Sequence, residues 1–457
     1  MRLILKFIGW CGGVGLAGAV GASPLLDTNV PPLSRADAVA IALRQNTAIR
    51  KGQTDLRAAY GIEVQLRSII VPKFLAAGDF NANDPSLVAQ FPSLPQFPIS
   101  RFIQFPTKNW AADVRVQESI YEGGRITSSF RSAKLTRQQA LLNYQTVVAD
   151  TILQVRVAYD DALLARQQID VHEASVKLLT HELDDAQQRF DAGAAPQFNV
   201  LRAQVEVANE KPQLIQARNH YRIAKNNLVN LLGYDVPQAV WEDIPLQLTD
   251  ELAAVPLELD LPSALARALQ RRPELGALRK AEALRREDVT TARAGYKPNA
   301  QIFGGYEWQS FPYADDLSRD LSGWVAGAQV SWNLFDGTLT RGRVIEAQAR
   351  YDRARIDVEE TRRQIELEVR TADSEFIQAR ELLESQKKVQ EQAAEALRQS
   401  EVRLGAGTGA QLDVLAAQTA LTQSRTTQIQ ALHDYSVARA RLQRALGDDM
   451  EIQAAPK

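Results

Sequence analysis

Two long stretches of the chain carry the same apolar stripe. In one, Val358, Ile365, Val369, Ala372, Phe376, Ala379, Leu383, Ala393, Leu397 and Leu404 recur in alternating steps of three and four. Subtracting 214 gives the other: Tyr144, Val148, Val155, Ala158, Ala162, Ala165, Ile169, Val176, Leu179, Leu183, Ala186 and Phe190. A 3.5-residue repeat sustained this far predicts helices that pack along a coiled-coil seam. Residues 126–191 contain no Gly or Pro, so the first of these helices would run roughly 100 Å at 1.5 Å per residue. Each long stretch ends in a turn and is followed by a second helical stretch. The turns are RFDAGAAPQFNVLRAQ at 189–204 and RLGAGTGAQLDVLAAQ at 403–418. The helix expected after the first turn covers 197–232 and contains Pro212, which should kink it or remove a backbone hydrogen bond.

Shorter stretches alternate with a period of two, the mark of strands with one apolar face. They are 73–81, 108–121, 299–309 and 323–335. In 108–121, Trp110, Ala112, Val114, Val116 and Ile120 share one side, while Asp113, Arg115, Gln117 and Ser119 share the other. A helical stretch precedes each strand pair, at 34–67 and at 262–293. Each is stopped by a proline, Pro72 or Pro298. The chain is therefore expected to be duplicated: a first repeat at 23–233, a linker at 234–261 rich in proline, a second repeat at 262–447 and a polar tail at 448–457. Each repeat reads helix, β-hairpin, long helix, tip, helix.

The first 22 residues change the setting. Arg2 and Lys6 precede an apolar run that ends in Val20, Gly21 and Ala22, the pattern of a secretory signal peptide. The single cysteine, Cys11, lies within it, so the processed chain is expected to have no disulfide or thiol chemistry. With 53 Lys and Arg against 55 Asp and Glu, nothing favours nucleic acid. No other stretch has 18 consecutive apolar residues, which leaves a β-barrel as the route across a membrane. Trp110, Trp308, Trp324 and Trp332 fall in the strands, where interface aromatics of a barrel belong. Four strands cannot close a barrel, and open edges do not survive in lipid. Several chains must then share one barrel; two would supply about 8 strands and three about 12.

These features resemble the TolC-like outer membrane efflux family. The resemblance spans nearly the whole processed chain and is carried by YEGGR at 121–125, FDG at 335–337 and the two turns. It implies an α+β membrane protein: a homotrimer with duplicated helical hairpins in a periplasmic α-barrel and a shared 12-stranded β-barrel. It implies a passive exit duct for efflux or type I secretion, set in outer membrane lipid of a Gram-negative-type bacterium. The partners would be a periplasmic adaptor and an inner-membrane pump, with no cofactor. By this resemblance the docking tips are Arg189, Phe190, Ala192 and Gly193, and Arg403, Leu404, Ala406 and Gly407. The gate would involve Asp413, Gly407 and Gly409. The family's second acidic ring falls on Ala416, and its Tyr and Arg tip lock falls on Leu404 and Gly409, so a different gate is implied.

Plainer roles stand beside these. Asp413 at the start of a helix can serve its positive end, and Arg189 and Arg403 can serve the negative ends. Gly193, Gly407 and Gly409 suit turns that need positive φ. His172, His181, His220 and His433 are too scattered for a metal site, and no nucleophile–base arrangement suggests an enzyme. The alternative function is a periplasmic coiled-coil scaffold whose strands form a soluble sheet.

Overall fold

A computed structural model describes residues 32–88, 105–235, 243–313 and 316–448. The expected signal peptide with Cys11, residues 89–104 between the first two strands, residues 236–242 of the linker and nearly all of the tail lie outside these. Eight helices and four strands are named here: α1 (Arg35–Gln45), α2 (Thr47–Arg67), β1 (Lys73–Ala82), β2 (Lys108–Glu122), α3 (Arg125–Asp191), α4 (Gln197–Leu232), α5 (Leu261–Arg271), α6 (Pro273–Arg293), β3 (Asn299–Ser310), β4 (Asp320–Ser331), α7 (Leu339–Gly405) and α8 (Gln411–Leu446). No helix is long and apolar enough to cross a membrane, among the described residues.

Both bounds of α3 and α4 shift by 214 to give those of α7 and α8. Those of α1 and α2 shift by 226 to give α5 and α6. Local signals set several of these bounds. Ser34 caps α1 by accepting from Asp37 N, and Asp260 caps α5 by accepting from Ser263 N with Pro262 in the first turn. Asp336 accepts from Thr340 N at 2.9 Å and starts α7, which explains the aspartate of FDG. Pro212 lies inside α4 without ending it.

The stretches expected as single helices at 34–67 and 262–293 are each broken. Asn46 ends α1 with extended backbone, and its Oδ1 accepts from Ala48 N at 2.7 Å to start α2. Arg272 takes the matching place between α5 and α6, followed by Pro273 at the first helical position. A proline disfavours helical backbone in the residue before it, so Arg272 leaves the helix.

The chain forms two compact units. The first comprises Met1–Arg50, Thr151–Pro256 and Phe376–Ala440. Its core joins α1, α3, α4 and the linker: Tyr159, Leu163, Leu228 and Leu232 are buried with Ile244, Leu246, Leu248 and Leu252. The linker's alternating burial is that of an extended segment with one face inward, and Leu33 pairs with Leu248 in parallel. Elsewhere in this unit α3 packs on α4 through Ala186, Val200 and Ala203, and on α8 through Leu179 and Leu415. Leu397 of α7 meets Val414 and Leu421 of α8. The small Ala residues of the seam let these helices approach closely.

The second unit comprises Lys51–Asp150, Leu257–Glu375 and Arg441–Lys457. It holds a four-stranded antiparallel sheet in the order β1-β2-β3-β4. Phe80 pairs with Trp110, Val114 with Tyr306 and Tyr306 with Trp324. The sequence pattern placed β4 at 323–335; it runs three residues earlier and stops at Ser331. Trp332 therefore lies one residue past the strand, its indole Nε1 donating to Tyr296 O at 3.1 Å.

Candidate functional site: helical tips, sheet faces and their junctions

Each tip is a helix end closed by a left-handed glycine. At the first, Gly193 has φ of 74° and donates to Phe190 O at 2.8 Å, while Ala194 N donates to Arg189 O at 2.8 Å. At the second, Gly407 has φ of 73° and donates to Leu404 O at 3.1 Å, while Thr408 N donates to Arg403 O at 3.0 Å. These are the paired bonds of a Schellman motif, which satisfies carbonyls a helix end would leave open. Arg189 and Arg403 sit in the last turns, where a cation meets the negative end of the helix. Arg189, Phe190, Ala192, Gly193, Arg403, Ala406 and Gly407 are exposed. Leu404 differs, being half-buried against Leu397, Val414 and Leu421.

Gly409 is not at positive φ. A Cβ there would lie 2.9 Å from Arg403 Cβ and 3.0 Å from the Leu404 nitrogen. The chain folds tightly back on the last turn of α7, and Gly409 N also donates to Arg403 O at 3.0 Å. The first tip has Ala195 at the matching place. Thus Gly409 is a packing requirement and not a freely turning residue. Asp413 is exposed in the first turn of α8, and its Oδ2 accepts from Ala410 N at 3.3 Å. Within one chain its contacts are those of a helix-start carboxylate.

The sheet has two unlike faces. One carries Phe74, Phe80, Trp110, Val114, Tyr306, Trp308, Trp324 and Val330. On it, Phe74 is 78% exposed, Trp324 80% and Val330 70%, which is a contiguous apolar surface of a kind water does not favour. The other face carries Asp113, with Arg115 Nε bonded to it at 2.6 Å. Gln117 Nε2 donates to Gln301 Oε1 at 2.5 Å, and Gln301 Nε2 donates to Gln329 Oε1 at 2.8 Å, a chain of amides across three strands. Trp110, Trp308 and Trp324 share the apolar face; Trp110 Nε1 donates to Leu317 O at 3.2 Å.

The turns from strand to long helix match in backbone. YEGG uses Gly123 at φ 63° and Gly124 at φ 103°; FDGT uses Gly337 at φ 66° and Thr338 at φ 72°. A Cβ on Gly123 would sit 2.7 Å from Ala294 O and 2.9 Å from Lys297 Cβ, so this turn seats directly on the end of α6.

Sequence reasoning missed a network of charges in the second unit. Arg272, 8% exposed, bonds to Glu274 at 3.1 Å and to Glu368. Arg444, 9% exposed, bonds to Asp150 at 2.8 Å and to Glu274. Burial pushes the Glu274 carboxyl up, but the hydrogen bonds and charges of Arg272 and Arg444 outweigh it and hold the group at about 2. The charged spacing R-P-E at 272–274 was the available signal.

Comparison with known proteins follows this architecture. The sequence profile of a family described as "Outer membrane efflux protein" matches residues 38–234 and 264–448. The outer membrane protein TolC of Vibrio cholerae is 22% identical over 405 residues, covering 86% of this chain and 91% of that protein. The alkaline protease secretion protein AprF of Pseudomonas aeruginosa is 25% identical over 325 residues, covering 69% and 67%. The solved outer-membrane channel OprN superposes with a TM-score of 0.75 at 21% identity, over 90% of this chain and 89% of that one. VceC from Vibrio cholerae gives 0.74 at 17% identity, over 90% and 96%.

Proposed function

This chain belongs to the outer membrane efflux protein family, and we propose that three copies form a passive outer membrane exit duct opened at its helical tips. The observation that carries this reading is the sheet. Its four strands leave β1 and β4 as outer edges, and one face is dominated by apolar side chains, with Phe74, Trp324 and Val330 largely exposed. Lipid accepts such a face but not unpaired strand edges, so copies must pair edge to edge until the barrel closes. Three copies give about 12 strands, within the range of bacterial barrels. In this reading Trp110, Trp308, Trp324 and Trp332 anchor the barrel at the membrane interface. The two tips dock a periplasmic adaptor through Arg189, Phe190, Ala192 and Gly193, and through Arg403, Leu404, Ala406 and Gly407. An inner-membrane pump supplies the drive and selects the cargo. The scaffold alternative leaves the apolar face in water, which the hydrophobic effect opposes.

Insertion of the purified oligomer into planar lipid bilayers tests the duct. Step conductances are expected; their absence, even after the tips are released, would count against it. In Asp413→Ala, lower cation selectivity is expected of a ring of three carboxylates at a constriction. Unchanged selectivity would leave Asp413 only its bond to Ala410.

A further inference from the structure

The polar face of the sheet changes charge along its length. Asp79, Asp113 and Glu307 lie on it toward the end where β1 finishes, with Arg115 the cation among them. The amide chain of Gln117, Gln301 and Gln329 is neutral. Beyond it, where the strands meet the helices, a groove of about 290 Å³ opens. Asn299 and Ser331 of the polar face line it, together with Arg125, Lys297, Arg343 and Glu122. Glu122 is the single carboxylate there, and Arg125 is bonded to it. Lys297 and Arg343 are exposed, and no carboxylate lies within ion-pair reach of either among the described residues. The groove thus holds two uncompensated positive charges per chain.

This groove is built by close contacts and is not a loose surface cluster. Lys297 Cβ lies against Gly123 of the YEGG turn, where only a glycine leaves room. Gly295, two residues before it, faces Thr340 Oγ1, which a Cβ would approach to 2.6 Å. The stem of Lys297 and the start of α7, which carries Arg343, are held at the same junction.

We propose that this groove is an anion-attracting station in the lumen, drawing carboxylate and phosphate groups of solutes toward the barrel floor. The inference rests on the duct reading, because it is the apolar face in lipid that turns the polar face inward. Three copies would place a ring of such grooves around one pore. Fixed cations in a confined passage with low-dielectric walls focus their field and raise the local concentration of anions. The neutral amide chain separates this ring from the acidic end of the same face.

The experiment is the chloride-to-potassium permeability ratio of single channels in a KCl gradient, compared between wild type, Lys297→Gln/Arg343→Gln, and the control Arg341→Gln. Arg341 is exposed on the same turn but does not line the groove. The double variant is expected to lower the ratio severalfold at about 0.1 M salt, where the Debye length is about 10 Å, and much less at 1 M, where it is about 3 Å. The control is expected to leave the ratio unchanged. Inorganic phosphate on one side should reduce wild-type chloride current and have a weaker effect on the double variant. A double variant that conducts with the wild-type ratio, or a control with an equal shift, overturns the proposal. If the double variant fails to assemble, the single Lys297→Gln decides, with a smaller shift in the same direction expected. A wild type that stays without conductance even after its tips are released rejects the duct itself, a different result from a conducting channel without the shift.

Discussion

The corner between α1 and α2 and the corner between α5 and α6 hold the same place in the two repeats, yet they are built from different chemistry. At the first, Asn46 is buried and neutral: Oδ1 accepts from Ala48 N, and Nδ2 donates to Leu231 O at 2.6 Å. Gly233, at φ 79°, presses on this corner, where a Cβ would meet Gln45 O at 2.6 Å. At the second, Gly447 at φ 75° stands against Arg271, where a Cβ on the glycine would lie 3.2 Å from Arg271 Cβ. There Arg272, Glu274, Glu368, Arg444 and Asp150 replace the neutral amide with charges. One helix break can be held by one amide or by five charged groups. The ionic solution carries a larger desolvation cost and becomes sensitive to the loss of any member.

The largest difference is expected from removing the central partner. Glu274→Ala leaves Arg272 and Arg444 buried with fewer counter-charges and should cost about 3 kcal/mol. Asn46→Ala removes a cap and one bond and should cost about 1–2 kcal/mol. Urea midpoints of the assembled protein would compare them. The pH dependence separates the two more sharply. Because the folded carboxyl of Glu274 is held at about 2, below its ordinary 4.5, its contribution is present above the ordinary value and lost as pH falls toward the folded one. The Glu274→Gln and wild-type midpoints should therefore converge in acid, whereas the Asn46→Ala deficit should not follow that titration. A Glu274→Gln deficit that persists unchanged below pH 2 would show that geometry, not charge, holds the corner.

The strand-to-helix turns offer a second contrast. Gly123 needs both positive φ and empty space, while Gly337 has nothing within 4 Å of its would-be Cβ. Gly123→Ala should cost about 2–4 kcal/mol, from overpacking added to backbone strain, and Gly337→Ala about 1 kcal/mol. Equal losses in thermal scans would mean that strain alone acts at both. The smallest expected effect has the opposite sign. Thr338 is the one non-glycine residue at positive φ among those described, where the first repeat has Gly124. Thr338→Gly should stabilise by about 0.5–1 kcal/mol after the extra flexibility of the unfolded chain is counted. A loss of stability would show that the Thr338 side chain makes up for its strain.

Much of the fold was legible because its signals are local. The bounds of the long helices follow from the 3.5-residue stripe and from glycines that close helix ends within a few residues. The tips were visible for the same reason: Gly193 and Gly407 reach only to Phe190 and Leu404. The identity of residues in the groove was also in view, but not their meeting. Arg125, Lys297 and Arg343 come from three separate elements, and nothing in their spacing joins them.

By itself, then, the sequence determined the duplication, the four strands with their two faces, the long helices and the position of the turns, because each depends on periodicity or on bonds between near neighbours. Tertiary structure alone decided which charges share a network and which glycine of the strand-to-helix turns has no room for a side chain. Arg272 finds Glu368 across 96 residues, and Arg444 finds Asp150 across 294. Gly123 has no room for a side chain because Ala294 and Lys297, far along the chain, lie against it, whereas Gly337 in the matching turn has open space. Such contacts depend on how the chain closes in space, and no local pattern carries that information.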